Sequence, residues 1–162
     1  MSELTFYAKD TESVDLIGKS IESIIHQLLC LITTSGVEAI VFTPPSKKRS
    51  VQLLKELQKR VSKEMEIPQP RLVKYAPHNI IITQKSLKTR EQRIQNAKQT
   101  ILIADENHMK KYNNILLIDD FVGSGATLNE TAKKIKDLGV HNVIGFAFVG
   151  NVDVKYEVIN EI

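Results

Sequence analysis

The sequence predicts an α/β domain: a mainly parallel central sheet flanked by helices. Three observations carry that expectation. Short apolar runs of strand type alternate with longer stretches whose apolar residues recur at helical spacing. One run, Ile115-Leu116-Leu117-Ile118, is apolar at successive positions, as a strand covered on both faces must be. The prolines, with Gly36 and Gly139, fall between the segments and not within them. A chain of 162 residues fits one domain with a sizeable core, residues 1–162.

The first helix is predicted from Val14, Ile17, Ile21, Ile24, Ile25, Leu28 and Ile32, with Thr11 or Ser13 as cap and Gly36 as its end. Glu38 to Thr43 reads as a short strand, stopped by Pro44 and Pro45, which cannot donate to a ladder. Val51, Leu54, Leu57, Val61 and Met65 form the stripe of a second helix, ended by Pro68. Arg71 to Tyr75 reads as a strand, and Asn79 to Thr83 as another or its continuation. Thr83 to Lys98 is polar and basic, with Leu87 and Ile94 as its apolar anchors, and reads as a mobile loop passing into a short helix. Thr100 to Ala104 is a further short strand. Ile115 to Asp119 is the continuous apolar strand. Ala126 or Thr127 then opens a helix with Leu128, Ala132, Ile135 and Leu138 on one face, closed by Gly139. Asn142 to Val149 is the last strand.

Composition narrows the function classes. The chain is 42% hydrophobic and 25% charged, ordinary for a globular protein, and its net charge of +3 gives no argument for nucleic acid or membrane. The single cysteine, Cys30, leaves no intrachain disulfide, fits a reducing compartment, and reads as packing within the first helix. Met1 to Asp10 lacks a basic region followed by an apolar stretch, and no apolar run approaches the roughly 18–20 residues of a bilayer span. A cytoplasmic protein without a membrane partner is expected.

Ile115 to Thr127 (ILLIDDFVGSGAT) is the most informative stretch. A strand delivers Asp119 and Asp120, a glycine loop follows, and a helix begins. That order aims backbone N–H groups and a helix N-terminus at an anion. The acid pair suits hydroxyls and the loop suits a phosphate, and a sugar phosphate has both. The plainer reading is a surface Asp-Asp turn capping a helix; the apolar run before it and GSGAT after it count against that. A Walker loop needs a lysine after the second glycine, where Ala126-Thr127 stands. A dinucleotide loop needs a third glycine where Leu128 stands, and puts its acid at the end of the next strand.

The segment resembles the PRPP-binding motif of type I phosphoribosyltransferases: four apolar residues, two acids, two apolar residues, then a small-residue loop ending in threonine. Gly123 stands where that family usually has Thr, Ser, Ala, Val or Asp, and Phe121 is bulkier than usual. The resemblance implies the type I phosphoribosyltransferase fold, with a PRPP-binding core at 37–150 between a leading helical segment (1–36) and a C-terminal tail (151–162). It implies that Asp119 and Asp120 bind the ribose 2′ and 3′ hydroxyls. Val122 and Gly123 then lead into Ser124, Gly125, Ala126 and Thr127, which wrap the 5′-phosphate. Mg²⁺ is the implied cofactor, held mainly through PRPP with no direct protein ligand. The implied reaction is displacement of pyrophosphate at C1 by a nitrogen acceptor through an oxocarbenium-like transition state. Asp119, Asp120 and Arg93 are the candidate catalytic residues, and either acid is the placed candidate for a general base.

A type I enzyme also needs a pyrophosphate site after an early strand. Ser46, Lys47, Lys48 and Arg49 stand there, although Lys-Lys-Arg alone reads as a solvated helix start. Gln84, Leu87, Arg93 and Asn96 follow the pattern Q-x-x-L-x(5)-R-x-x-N, which resembles the competence-associated branch of the family. The resemblance covers roughly Val37 to Val149. In type I enzymes this region includes a loop that closes over PRPP and excludes water, making Arg90 and Arg93, with Lys85 and Lys88, candidates to meet the pyrophosphate. The plainer reading of Arg90 and Arg93 is an exposed basic helix face. The chain departs from the competence branch in having no zinc-binding cysteine cluster at its N-terminus, so a DNA-related role tied to that module is not carried over.

His26, His78, His108 and His141 have no metal-ligand spacing, and His26 reads as a buried or boundary residue of the first helix. Phe146 and Phe148, with Tyr156, are candidates to stack an acceptor ring or, more plainly, core residues. Three alternatives stay open beside the transferase. One is a PRPP- or nucleotide-binding regulator without turnover, suggested by the short chain after Val149. Another is a nucleic-acid-linked module using Lys47–Arg49 and Lys85–Arg93, although nucleic acid is not the expected partner. The last is a nucleotide hydrolase of another α/β family, against which the missing Walker lysine counts. Neither the acceptor nor the oligomeric state is legible, and the resemblance leaves a homodimer open.

Overall fold

The computed structural model describes residues 13–45, 52–76 and 86–150. In chain order these form α1 (Val14–Thr34), β1 (Ala39–Phe42), α2 (Leu53–Glu64), β2 (Leu72–Lys74), α3 (Arg90–Thr100), β3 (Ile101–Ile103), α4 (Glu106–Met109), β4 (Asn114–Val122), α5 (Ala126–Lys136) and β5 (Asn142–Gly150). β1, β4 and β5 make a parallel sheet with β4 in the centre. β2 and β3 pair separately and antiparallel, Leu72 opposite Ile103 and Val73 opposite Leu102.

The central strand explains its own sequence. Leu116 and Ile118 pack into the core layer built by α1 and α2, from Ile17, Ile21, Ile25, Leu28, Ile32, Leu53, Leu57 and Val61. Ile115 and Leu117 point the other way, into a second layer with Leu72, Ala97, Ile101, Met109, Leu128 and Ile135. Both faces are covered, so every position of the run has to be apolar. α1 starts where the Ser13 side chain accepts from Leu16 N at 3.4 Å, and Gly36 follows it at a positive φ of 59°. α5 ends before Gly139, whose φ is 96°.

Several expectations change. β4 continues through both acids to Val122 instead of ending at Asp119, so the acids sit within the strand. α1 is long and apolar enough, by length and composition, to cross a membrane, although Lys19 and Glu22 interrupt its apolar run. Its apolar stripe is buried against the sheet, as a core helix requires. Cys30 and His26 are exposed, on the side of α1 away from that stripe. α3 has no apolar stripe. The expected anchors Leu87 and Ile94 are only half-buried, and the buried residues of α3 are Asn96, Ala97 and Thr100. α3 packs against α5. Phe146 and Phe148 are half-buried against the α1–α2 layer, edge to face with ring centres 6.1 Å apart, which fits their reading as core. The expected strand Asn79–Thr83 and Tyr156 lie outside the described residues.

Candidate functional site

The site grows from the C-terminal edge of the parallel sheet. β1 and β4 run side by side to Phe42 opposite Ile118, and Thr43 N then donates to Ile118 O at 2.9 Å. That edge is where ligands of open α/β sheets lie. Asp119 is 7% exposed, and its Oδ1 accepts from Thr43 Oγ1 at 2.7 Å and from Asp120 N at 2.8 Å. Its carboxylate is thereby fixed in place. Asp120, one residue on, is half-buried, and strand alternation sends its side chain to the opposite face.

Val122 is buried, and Gly123, Ser124 and Gly125 form the turn into α5. Gly125 is the N-cap with φ 73°, a conformation that a side chain disfavours, and its carbonyl accepts from Asn129 N at 2.9 Å. Gly125, having no side chain, gives the first turn of α5 no N-cap hydrogen bond. Ala126 and Thr127 therefore begin a helix whose leading N–H groups and dipole point at the loop, the arrangement that binds a phosphate. The loop candidates Gly123 to Thr127 are thus brought together, directly after the acids.

α3 brings Arg93 to the same loop. Thr89 Oγ1 accepts from Gln92 N at 3.2 Å while Gln92 Oε1 accepts from Thr89 N at 3.3 Å, a capping box that fixes where the helix starts. One turn in, Arg93 Nε and Nη2 both donate to Leu87 O, each at 3.2 Å. Its Nη1 lies 4.0 Å from where a Cβ on Gly123 would stand, and Phe121 Cε1 lies 3.2 Å from that point. Glycine at 123 thus gives room to the Phe121 ring, with the Arg93 guanidinium at ordinary contact distance beside it. Arg90 and Lys88 are exposed, outside this grouping. Asn96 is buried on α3, and its Nδ2 has no hydrogen-bond partner among the described residues.

Ser46, Lys47, Lys48 and Arg49 lie outside the described residues, as do Gln84 and Lys85. The structure adds Lys74, which the sequence reading passed over. It is half-buried at the end of β2; burial pushes its ammonium below the usual lysine range, and the Asp119 carboxylate pulls the other way. The signal was available: with Leu72 facing inward, period-two alternation turns Lys74 inward as well.

No family model matches the sequence. Over 88 residues the chain is 32% identical to Competence protein F of Haemophilus influenzae, a match that spans 54% of this chain and 37% of that protein. Among solved structures, an HPRT with glutamic acid in place of an invariant aspartic acid superposes with a TM-score of 0.55 at 12% identity, over 88% of this chain and 73% of that one. Hypoxanthine phosphoribosyltransferase of Trypanosoma cruzi gives 0.54 at 11% identity, over 88% and 70%. A point mutant of the Trypanosoma cruzi enzyme, complexed with its product IMP, gives 0.52 at 10% identity, over 89% and 80%. At such identities the likeness is one of architecture: the chain has the α/β fold of the type I phosphoribosyltransferases.

Proposed function

We propose that the protein binds PRPP with Mg²⁺ and transfers the phosphoribosyl group to a nitrogen acceptor, releasing pyrophosphate. The observation that carries this reading is the continuous path from the acids of β4 to the uncapped first turn of α5. The loop N–H groups and the hydroxyls of Ser124 and Thr127 take the 5′-phosphate. Asp120, with Asp119 held behind it by Thr43, takes the ribose hydroxyls and fixes C1 toward the acceptor. Arg93 supplies positive charge at the loop mouth, and Ser46, Lys47, Lys48 and Arg49, with Arg90, are the candidates for the departing pyrophosphate.

Among the described residues no group of three or more His, Cys, Asp or Glu side chains could hold a metal ion. Mg²⁺ is commonly bound through substrate phosphates and waters with one or two carboxylates nearby, and the acid pair beside a diphosphate suits that chemistry. Asp119 and Asp120 would hold it through the ribose hydroxyls. When bound, it neutralises charge on the leaving pyrophosphate. The reading implies a cytoplasmic protein.

A second reading, a PRPP- or nucleotide-binding regulator, draws on Gly123. The loop offers no side chain there to move a proton to or from an acceptor, which leaves Asp120 as the half-exposed carboxylate of the site. Pyrophosphate release from Mg-PRPP, assayed against purine bases, pyrimidine bases and simple amines, separates the two. Release with one acceptor class, abolished in Asp120→Asn, supports the transferase. PRPP binding with no release for any acceptor supports the regulator.

A further inference from the structure

We propose that Asn96 is a positioning residue for Arg93: its amide and the hydroxyl of Thr131 fix the register of α3 on α5, and that register sets where the guanidinium meets the loop. The proposal rests on the PRPP reading above and adds how one residue of that site is held. α3 has no apolar stripe to set its place. Its buried residues are Asn96, Ala97 and Thr100, and α5 lies against it. Ala97 shares a core layer with Leu128 and Ile135 of α5, so this face of α3 is the one turned toward that helix.

The two helices are tied together near their C-terminal ends. Lys134 Nζ donates to Lys98 O at 2.6 Å and to Ile101 O. Lys98 Nζ lies 3.8 Å from Oε2 of Glu130, a buried residue of α5. At the other end, Arg93 Nη1 stands 4.0 Å from the Cβ point of Gly123, just before α5 begins. The helices therefore run side by side in the same direction. Asn96 falls between the two ends, one turn beyond Arg93 and level with the turn of α5 that carries Thr131. Asn96 is 7% exposed and Thr131 not at all, and neither Asn96 Nδ2 nor Thr131 Oγ1 has a hydrogen-bond partner among the described residues. Thr100, the other polar residue of this face, is occupied: its Oγ1 donates to Asn96 O at 2.6 Å.

Two buried polar groups without a protein partner cost stability that aliphatic side chains of similar size would not. Such a cost is tolerated where a polar group specifies register, as a single buried asparagine does in a coiled coil. An amide donor and a hydroxyl at one level are also the groups that a buried water joins. An aliphatic pair would hold α3 to α5 as firmly but would let it slide, and Arg93 with it.

The test is a set of cycles with Arg93. Asn96→Leu, Thr131→Val and Thr131→Ser are each made in the wild type and in Arg93→Ala. Mg-PRPP is titrated by calorimetry, to concentrations that saturate the weakened sites, and stability is read from urea unfolding. Asn96→Leu and Thr131→Val should leave the urea midpoint unchanged or raised, yet weaken Mg-PRPP by about 5- to 20-fold. In Arg93→Ala the same changes should cost no more than about twofold, because the group they misplace is gone. Thr131→Ser, which keeps the hydroxyl, should stay within about twofold of wild type. Should Asn96→Leu fail to fold, Thr131→Val decides. Wild-type affinity in the apolar variants, or an equal loss with and without Arg93, overturns the assignment and leaves the PRPP site standing. A lowered urea midpoint in both apolar variants overturns it too, since the two groups would then be ordinary stabilising contacts. Failure of Mg-PRPP to bind the folded wild type overturns the PRPP reading, and the assignment with it.

Discussion

Asp119 shows how a residue legible from its neighbours still depends on a distant one. The acid is announced by the apolar run before it, but its orientation is set by Thr43, donated from the end of β1 at 2.7 Å. Thr43→Val removes a buried hydrogen bond to a charged group and should cost about 1.5–3 kcal/mol of stability in denaturant titration, with Thr43→Ser retaining most of it. Arg71 and Asp105 form another distant link. The guanidinium Nε donates to Oδ2 at 3.0 Å and Nη2 to Oδ1 at 3.2 Å, joined by Arg71 N to Oδ2 at 3.0 Å. These bonds hold the Asp105 carboxyl below its ordinary range. A depressed folded-state value means the contribution is fully present above the unfolded-state value of about 4 and is lost as pH falls through the folded-state value. The stability difference between wild type and Asp105→Asn, read by urea titration across pH, should be present at pH 7 and shrink below about pH 4. The Thr43–Asp119 bond and the Arg93–Gly123 approach were hidden in the sequence because each is a contact between elements, whereas the acids and the loop are contiguous.

At the scale of elements, helices with a core-facing stripe were legible with their faces, whereas α3, which has none, was legible only as a short helix after a loop. α1, α2 and α5 bury regularly spaced aliphatics, so periodicity found them. α3 buries Asn96, Ala97 and Thr100, which leave no apolar signature, and its start is fixed instead by the Thr89–Gln92 capping box. That S/T-x-x-Q signal stands in the sequence and marks the boundary that the polar composition obscures. Because the box sets the position from which Arg93 reaches the loop, Thr89→Ala should do two things. It should lower stability by about 1 kcal/mol in thermal or denaturant unfolding, and it should weaken ribose 5-phosphate binding. Equal affinity in the variant would separate the helix start from the site.

For the molecule as a whole, sequence patterning was enough for the class of fold and for the central strand, but not for the pairing of strands. β2 and β3 are short, and nothing in their composition says that they pair with each other, antiparallel and apart from the main sheet. The reading of α1 needed the assembled fold as well. Its length and apolarity fit a bilayer, yet Ile17, Ile21, Ile25, Leu28 and Ile32 all enter the layer beneath β1 and β4. Leu28→Ala, at a fully buried position, should therefore cost about 2–5 kcal/mol, seen as a lower denaturant midpoint; a change near zero would detach α1 from the core. The layers on both faces carry the ends of β1 and β4 to one edge, where the acids, the loop and Arg93 meet. The most direct test of that arrangement is calorimetric titration of Mg-PRPP into wild type and Asp120→Asn, with unfolding curves to show that both are folded. Micromolar binding to the wild type that disappears in the variant is the expected result. No binding to the folded wild type, or equal binding to both, would contradict the assignment of this edge as a PRPP site.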